Sequence, residues 1–399
     1  MAQIGHTGKL LRERKPHAHN RVTNAELFFD LVFVFAITQI SHFLLAHFTP
    51  LGALQSTILM LAVWWVWVYT SWITNWLDPE QTAVRLMLFV LMIAGLLLST
   101  SIPKAFEGRG LAFAVAFAAM QVGRTAFFTW SLPAAHENLR RNFLRILIWL
   151  SVSGVFWIAG GFAEDQARLA LWIAALLIEY AGPVSLFWVP VLGASATADW
   201  DVEGGHMAER CAGFIIIALG ESIVVTGATF ADIAWTATTM VAFAVATIGS
   251  IAMWWVYFHI GAEFGSERIS HSEDPGRLAR LAYTYLHLPI VAGIVISAVG
   301  DEVLLAHPDG HTDIKAAITM IGGPLLFLVG VLLFKLSVRG RWQLSHLVGI
   351  AALAVLIPFA HALSPLMLSA ATTLIMLVVA VWEAWSLGSN AAHSDATSA

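Results

Sequence analysis

Long apolar runs alternate with short polar punctuation along the whole chain. Read between that punctuation, the runs predict twelve helices with approximate limits 25–48, 53–75, 82–102, 110–132, 142–162, 168–192, 207–229, 233–260, 279–300, 315–338, 343–362 and 366–387. Each is close to the roughly 20 apolar residues that a helix needs to cross a bilayer. A helix is the expected form because hydrocarbon offers backbone groups no partner, and a helix satisfies its own. The connections are short, so no sizeable soluble domain is expected. The predicted organisation is a basic N-terminal segment (1–24), six spans (25–192), a linker (193–206), six more spans (207–387) and a polar tail (388–399). The fold class is all-α, a polytopic transmembrane helix bundle.

Composition narrows the function classes. The 399 residues are 58% hydrophobic and only 12% charged, with 17 Trp and 24 Phe, whereas about a quarter of a soluble domain is charged. A soluble or disordered protein is therefore excluded. The net charge is −5 and no basic domain exists, so a nucleic-acid partner is not expected. The one cysteine, Cys211, cannot form an internal disulfide. No metal site and no cofactor are expected. The basic lead is long and the first apolar run has no small-residue cleavage site, unlike a secretory signal.

The placement of Lys and Arg predicts orientation. Lys9, Arg12, Arg14, Lys15 and Arg21 precede the first span. Alternate loops on that side add Arg85, Arg140, Arg141, Arg145, Arg210, Arg268, Arg277, Arg280, Lys335, Arg339 and Arg341. The other side holds Lys104, Arg109, Arg168 and Lys315, and Arg124 falls inside the fourth span. Sixteen against four places both termini in the cytoplasm.

The two halves echo each other in order. Trp64-Trp65-Val66 returns as Trp254-Trp255-Val256, and Ala94-Gly95 with Ser99 returns as Ala292-Gly293 with Ser297. Ile178-Glu179-Tyr180 is matched by Trp382-Glu383-Ala384, and Glu26 by Glu209. Six spans per copy gives two parallel repeats, an arrangement used by transporters with substrate sites at the repeat interface.

Ionisable groups inside spans are costly and point to function. Glu26 and Asp30 lie four apart on one helix face, which Phe33, Ile37 and Ser41 continue. Close carboxylates of this kind can share a proton, or Glu26 can belong to the helix start, with Asn24 as cap. Gln39 and His42 add polarity further along. In the seventh span His206, Glu209 and Arg210 share a turn, where a local ion pair or relay is sterically natural, and Glu221-Ser222 lie near mid-span. Gly213, Gly220 and Gly227 recur every seven residues, a stripe read as helix packing. Arg124 needs an acid, with Glu179, Asp30 and Glu221 as candidates. His287 reads as a hydrogen-bonded core residue, and His259, His346 and His361 as interfacial. Pro183, Pro289 and Pro324 free carbonyls that line a cavity or merely kink the bundle. The tryptophans at 64–67 and 254–255 read as membrane anchors.

Two of these segments carry a resemblance. Glu26-Leu-Phe-Phe-Asp-Leu-Val-Phe-Val-Phe-Ala, with Gln39 and His42 after it, resembles the opening signature of the low temperature requirement protein A family of bacterial membrane proteins. His206-x-x-Glu209-Arg210, running on to Leu219-Gly220-Glu221-Ser222, resembles that family's central motif. The resemblance covers about Asn24 to Leu387. It implies a multi-pass protein of the bacterial inner membrane and marks Glu26, Asp30, His206, Glu209, Arg210 and Glu221.

Three functions follow as expectations. The first is a secondary, proton-coupled transporter that uses the buried carboxylates to move a small molecule or ion. The second is an intramembrane enzyme acting on a lipid or isoprenoid-linked substrate, with His206, Glu209 and Glu221 as acid–base groups. The third is a non-catalytic membrane factor supporting growth at low temperature. The lipid bilayer is the one partner common to all three, and the sequence leaves the oligomeric state open.

Overall fold

The computed structural model describes residues 10–13, 21–195, 202–259 and 275–397. Among them twelve helices are long and apolar enough to cross a membrane. They are α1 (Asn24–Ala46), α2 (Pro50–Trp76), α3 (Thr82–Ser101), α4 (Gly110–Ser131), α5 (Glu137–Phe162) and α6 (Asp165–Val184). In the second half come α7 (Gly204–Asp232), α8 (Ala237–Phe258), α9 (His287–Ala306), α10 (Ile314–Arg339), α11 (Leu344–Leu356) and α12 (Pro365–Thr397). A π-helical stretch, Arg280–Tyr285, leads into α9, and a 3-10 turn, Ile357–Ala362, extends α11.

Local chemistry sets where the helices start and stop. Thr23, not Asn24, caps α1: its hydroxyl accepts from the Glu26 N–H while the Glu26 side chain accepts from the Thr23 N–H. This is the reciprocal arrangement that satisfies two otherwise orphaned donors. Thr49 caps α2 ahead of Pro50, and Asp313 caps α10. Gly340 closes α10 at φ 67°, a left-handed conformation open to glycine without steric cost. The sixth span, expected to reach 192, ends at Val184 just after Pro183. The chain beyond leaves the helical region, with left-handed φ at Leu186, Phe187 and Val191. At the C-terminus the expected polar tail is helical as far as Thr397, although only Pro365–Ser386 is apolar enough to span.

Two compact units result, Met1–Gly213 with Ile269–Arg280, and Phe214–Arg268 with Leu281–Ala399. The boundary falls within α7, whereas the sequence places a linker at 193–206. In the first unit α3 packs on α1 and α4, and α5 lies between α4 and α6. α2 touches α1, α4 and α6, and from Ile58 to Trp76 every one of its residues except Leu61 is buried. This overturns the membrane-anchor reading of the first tryptophan cluster. Trp64, Trp65 and Trp67 are fully buried, and Trp65 stacks on Tyr180 at 3.9 Å. They are the core of the unit because α2 has protein on all sides. Trp254 and Trp255 are exposed, as an anchor should be.

In the second unit α9 and α10 pack most closely, through glycines other than those expected. A Cβ on Gly293 would lie 2.5 Å from the Phe327 backbone nitrogen, and one on Gly323 would meet Ser297. At Gly213, Gly220 and Gly227 an added Cβ meets no described atom within 4 Å. Among the described residues the seven-residue stripe therefore provides no close approach, and that reading is corrected. Gly293→Val should lower stability by about 1–3 kcal/mol through overpacking, whereas Gly227→Ala should leave it unchanged or raise it. Thermal unfolding of both variants in detergent checks the contrast.

Candidate functional site

Several of the sequence-marked residues of the first unit meet along α2. Asp30 of α1 receives both guanidinium ends of Arg210, Nη1 to Oδ2 at 2.7 Å and Nη2 to Oδ1 at 2.8 Å. The Trp67 indole donates to Oδ1 at 2.8 Å, and the Arg210 Nε–H reaches the Ser71 hydroxyl at 3.3 Å. Asp30 and Arg210 are each 1% exposed. This is a two-point, charge-assisted pair, the strong form of hydrogen bond.

One turn before Asp30, Glu26 has separate partners. Its Oε1 faces His206 Nε2 at 2.8 Å, and its Oε2 accepts from Arg12 Nη2 at 2.9 Å. The histidine tautomer follows from its neighbours. Asn75 is oriented by two backbone bonds, accepting from the Glu203 N–H at 3.0 Å and donating to the Glu203 carbonyl at 2.9 Å. Its amide nitrogen therefore faces His206 Nδ1 at 3.2 Å as a donor, and Nδ1 accepts. Nε2 then carries the hydrogen and donates to Glu26. The two acids thus hold their own cationic or donor partners in place of a proton shared between them. Likewise His206 and Arg210 pair across to α1 rather than with Glu209. Glu209 is half-buried and accepts from the Val22 N–H at 2.9 Å.

Arg124 does not meet an acid directly. Its Nη1 donates to the Val66 carbonyl at 3.0 Å and to the Thr70 hydroxyl at 2.8 Å, and its Nη2 donates to Gln121 Oε1. Gln121 then passes the contact on, its amide donating to Glu179 Oε2 at 2.8 Å. Glu179 Oε1 accepts from Ser153 at 2.7 Å and from Trp157 at 3.3 Å. The Arg124 Nε–H meets no acceptor among the described residues. That is a costly state for a buried donor.

Together these groups form a ladder backed by α2. Asn75, Ser71, Thr70, Trp67 and the Val66 carbonyl each hold a member of it, over about 13–14 Å of helix at 1.5 Å per residue. Gln39 is half-buried and His42 exposed, more than two turns beyond Asp30, and neither belongs to the ladder. Glu221 and Ser222 lie in the second unit, both buried. There Ser222 donates to Asp301 at 3.0 Å and faces the Ser250 hydroxyl at 3.0 Å.

The second unit also holds an ion pair that the sequence reading missed. Lys335, counted with the cytoplasmic loops, is buried and contacts Glu383 at 2.6 and 2.8 Å. Its ammonium also donates to the Val256 carbonyl at 2.9 Å. Arg168, likewise read as a loop residue, is buried and donates to the carbonyls of Gly160, Ala163, Ala105 and Glu107. His287 is a core residue as expected, bonded to the Tyr257 hydroxyl and the Ala282 carbonyl, each at 2.8 Å. His346, expected at the interface, is fully buried. Asp301 lies one residue past the expected end of the ninth span at 300, and α9 continues through it to Ala306. No group of three or more His, Cys, Asp and Glu side chains that could hold a metal occurs among the described residues.

The family described as bacterial low temperature requirement A protein (LtrA) matches residues 21–381. The Rhizobium meliloti (strain 1021) protein named "Uncharacterized protein RA0937" is 41% identical over 362 residues, which is 90% of this chain and 88% of that protein. No solved structure matches. The family match takes in every rung of the ladder except Arg12, and the chain belongs to the bacterial low temperature requirement A family.

Proposed function

We propose that the chain is a proton-coupled secondary transporter of a small solute, lying in the bacterial inner membrane with both termini in the cytoplasm. The observation that carries this reading is the setting of Glu179. The single Ser153 proton has two acceptors within reach, Glu179 Oε1 at 2.7 Å and the Ala175 carbonyl at 3.0 Å. When Glu179 is ionised, Ser153 donates to it. When Glu179 carries a proton, the carboxyl donates to Ser153, which turns its own proton to Ala175. The hydrogen bonds close in both states, so the carboxyl can take up or release a proton without leaving a buried polar group unpaired. Gln121 ties the same carboxyl to Arg124, so its charge is felt at that guanidinium.

We also propose two copies of a six-helix repeat. In support, the third residue of each Trp-Trp-Val tripeptide does the same work. The Val66 carbonyl accepts from Arg124 of α4, and the Val256 carbonyl accepts from Lys335 of α10. The acid that each cation reaches, through Gln121 or directly, lies on α6 or α12. Ser99 and Ser297 each donate to the glycine carbonyl four residues back, Gly95 and Gly293.

A second reading, a non-catalytic bundle held by its charges, is favoured by the completeness of the Asp30–Arg210 and Glu26–His206 pairs. The Glu179→Gln variant separates the two. In vesicles loaded with a pH-sensitive dye, the transport reading expects solute-dependent proton entry with the wild-type protein and none with the variant, at equal reconstitution. Equal proton entry with both proteins overturns the role given to Glu179.

A further inference from the structure

We infer that the second unit contains a binding site for a monovalent cation of the size of Na+, built around Asp301. It deepens the transport reading by giving that function a second ion beside the proton, but it stands on a cavity of its own. The cavity is lined by Asp301, Ser250, Ser297, Thr319, Thr372 and Thr373 among others, and by no Lys, Arg or His. Its volume is about 30 Å³, room for roughly two waters and far below the several hundred Å³ that an organic ligand fills.

The hydroxyl groups are set as acceptors. Ser297 donates to the Gly293 carbonyl, Thr319 to Lys315 and Thr372 to Ser369, at 2.8–2.9 Å, and Thr373 to Val245 at 3.5 Å. With their protons turned back onto helix carbonyls, these oxygens have only lone pairs left to offer. Ser222 gives its proton to Asp301, so in its 3.0 Å contact with Ser250 it accepts, and Ser250 too has only lone pairs to spare. A further oxygen comes from α10. Pro324 has no N–H, so the Met320 carbonyl four residues earlier loses its helical partner, and both residues line the cavity. Gly300 lets α9 approach the Thr319–Met320 backbone, which brings Asp301 alongside.

A wall of acceptors around one carboxylate selects a cation. Asp301 has no ion-pair partner among the described residues, so one positive charge is left to be supplied. One carboxylate with neutral oxygens suits a singly charged ion. Ca²⁺ sites instead gather several carboxylates, and Mg²⁺ retains its waters.

The test is binding of radiolabelled sodium to the full-length protein in detergent, with choline as the replacement salt. The wild type should bind saturably, Asp301→Asn should abolish binding, and Ser250→Ala should weaken it roughly tenfold, the worth of one neutral hydrogen-bonding group. Monodispersity on gel filtration checks that each variant is folded. If Asp301→Asn does not fold, Ser250→Ala and Ser222→Ala carry the test. Wild-type protein without saturable sodium binding, variants that bind like the wild type, or potassium competing as well as sodium each overturn the site. Sodium binding without any solute-linked proton movement leaves the site standing and removes the transport reading. Proton-linked transport without sodium binding does the reverse.

Discussion

Arg210→Met is expected to lower the unfolding free energy by about 3–5 kcal/mol, because it strands a buried carboxylate. Asp30 is 1% exposed, and losing Arg210 leaves it the single Trp67 indole at 2.8 Å. Adding Asp30→Leu should restore most of the loss, since a buried pair replaced by apolar groups of similar volume is often neutral or stabilising. Thermal unfolding in detergent, followed by tryptophan fluorescence, reads both. Trp67 lies under Arg210, 5.6 Å from ring centre to guanidinium carbon, so its emission should change in the single variant even below the transition. If the single and double variants unfold alike, the loss is one of packing around Arg210 rather than of charge pairing.

Lys335→Met is the second large effect. It leaves Glu383, 2% exposed, without the ammonium that contacts both of its oxygens, and an uncompensated buried charge again costs about 3–5 kcal/mol. The Val256 carbonyl loses its donor as well. Lys335→Met with Glu383→Leu should recover much of that loss. Arg124→Met in the first unit should cost less, because Glu179 retains donors from Gln121, Ser153 and Trp157. The ranking Lys335→Met above Arg124→Met separates a direct ion pair from one relayed through an amide. Unfolding temperatures of the two singles and the double decide it.

The helices were legible in the sequence because their signal is long: about twenty apolar residues per span against short polar breaks. Their ends were less so. Thr23 caps α1 where Asn24 was expected, since both residue types suit the position and only the reciprocal bond to Glu26 chooses. The sixth helix stops at Val184 because Pro183 and a left-handed run outweigh continued hydrophobicity. Within the site, Asp30, Arg210, Glu26 and His206 stood out because a charged group in a span is improbable without purpose. Which of them pair was not legible. The i, i+3 and i+4 spacing favoured a local pair in α7, but His206 and Arg210 are aimed at α1, and no single-chain spacing records that. Lys335 was read as a loop charge because it lies within a turn of its helix end, where long basic side chains normally reach water. The echo of Glu179 in Glu383 was the sequence signal for a buried partner. The tryptophans of α2 misled because an aromatic cluster in one half of a span has the same composition in a buried helix as in a membrane belt. Their burial depends on neighbours far away in sequence.

Coupled transport is decided by wild-type protein in sealed vesicles. The vesicles are given a pool of labelled small solutes from a cell extract and an imposed pH gradient. Coupled transport requires that at least one solute accumulates inside above its outside concentration, and that a protonophore abolishes the accumulation. Folded, correctly reconstituted protein that brings every solute only to equal concentrations on both sides, gradient or not, would contradict it.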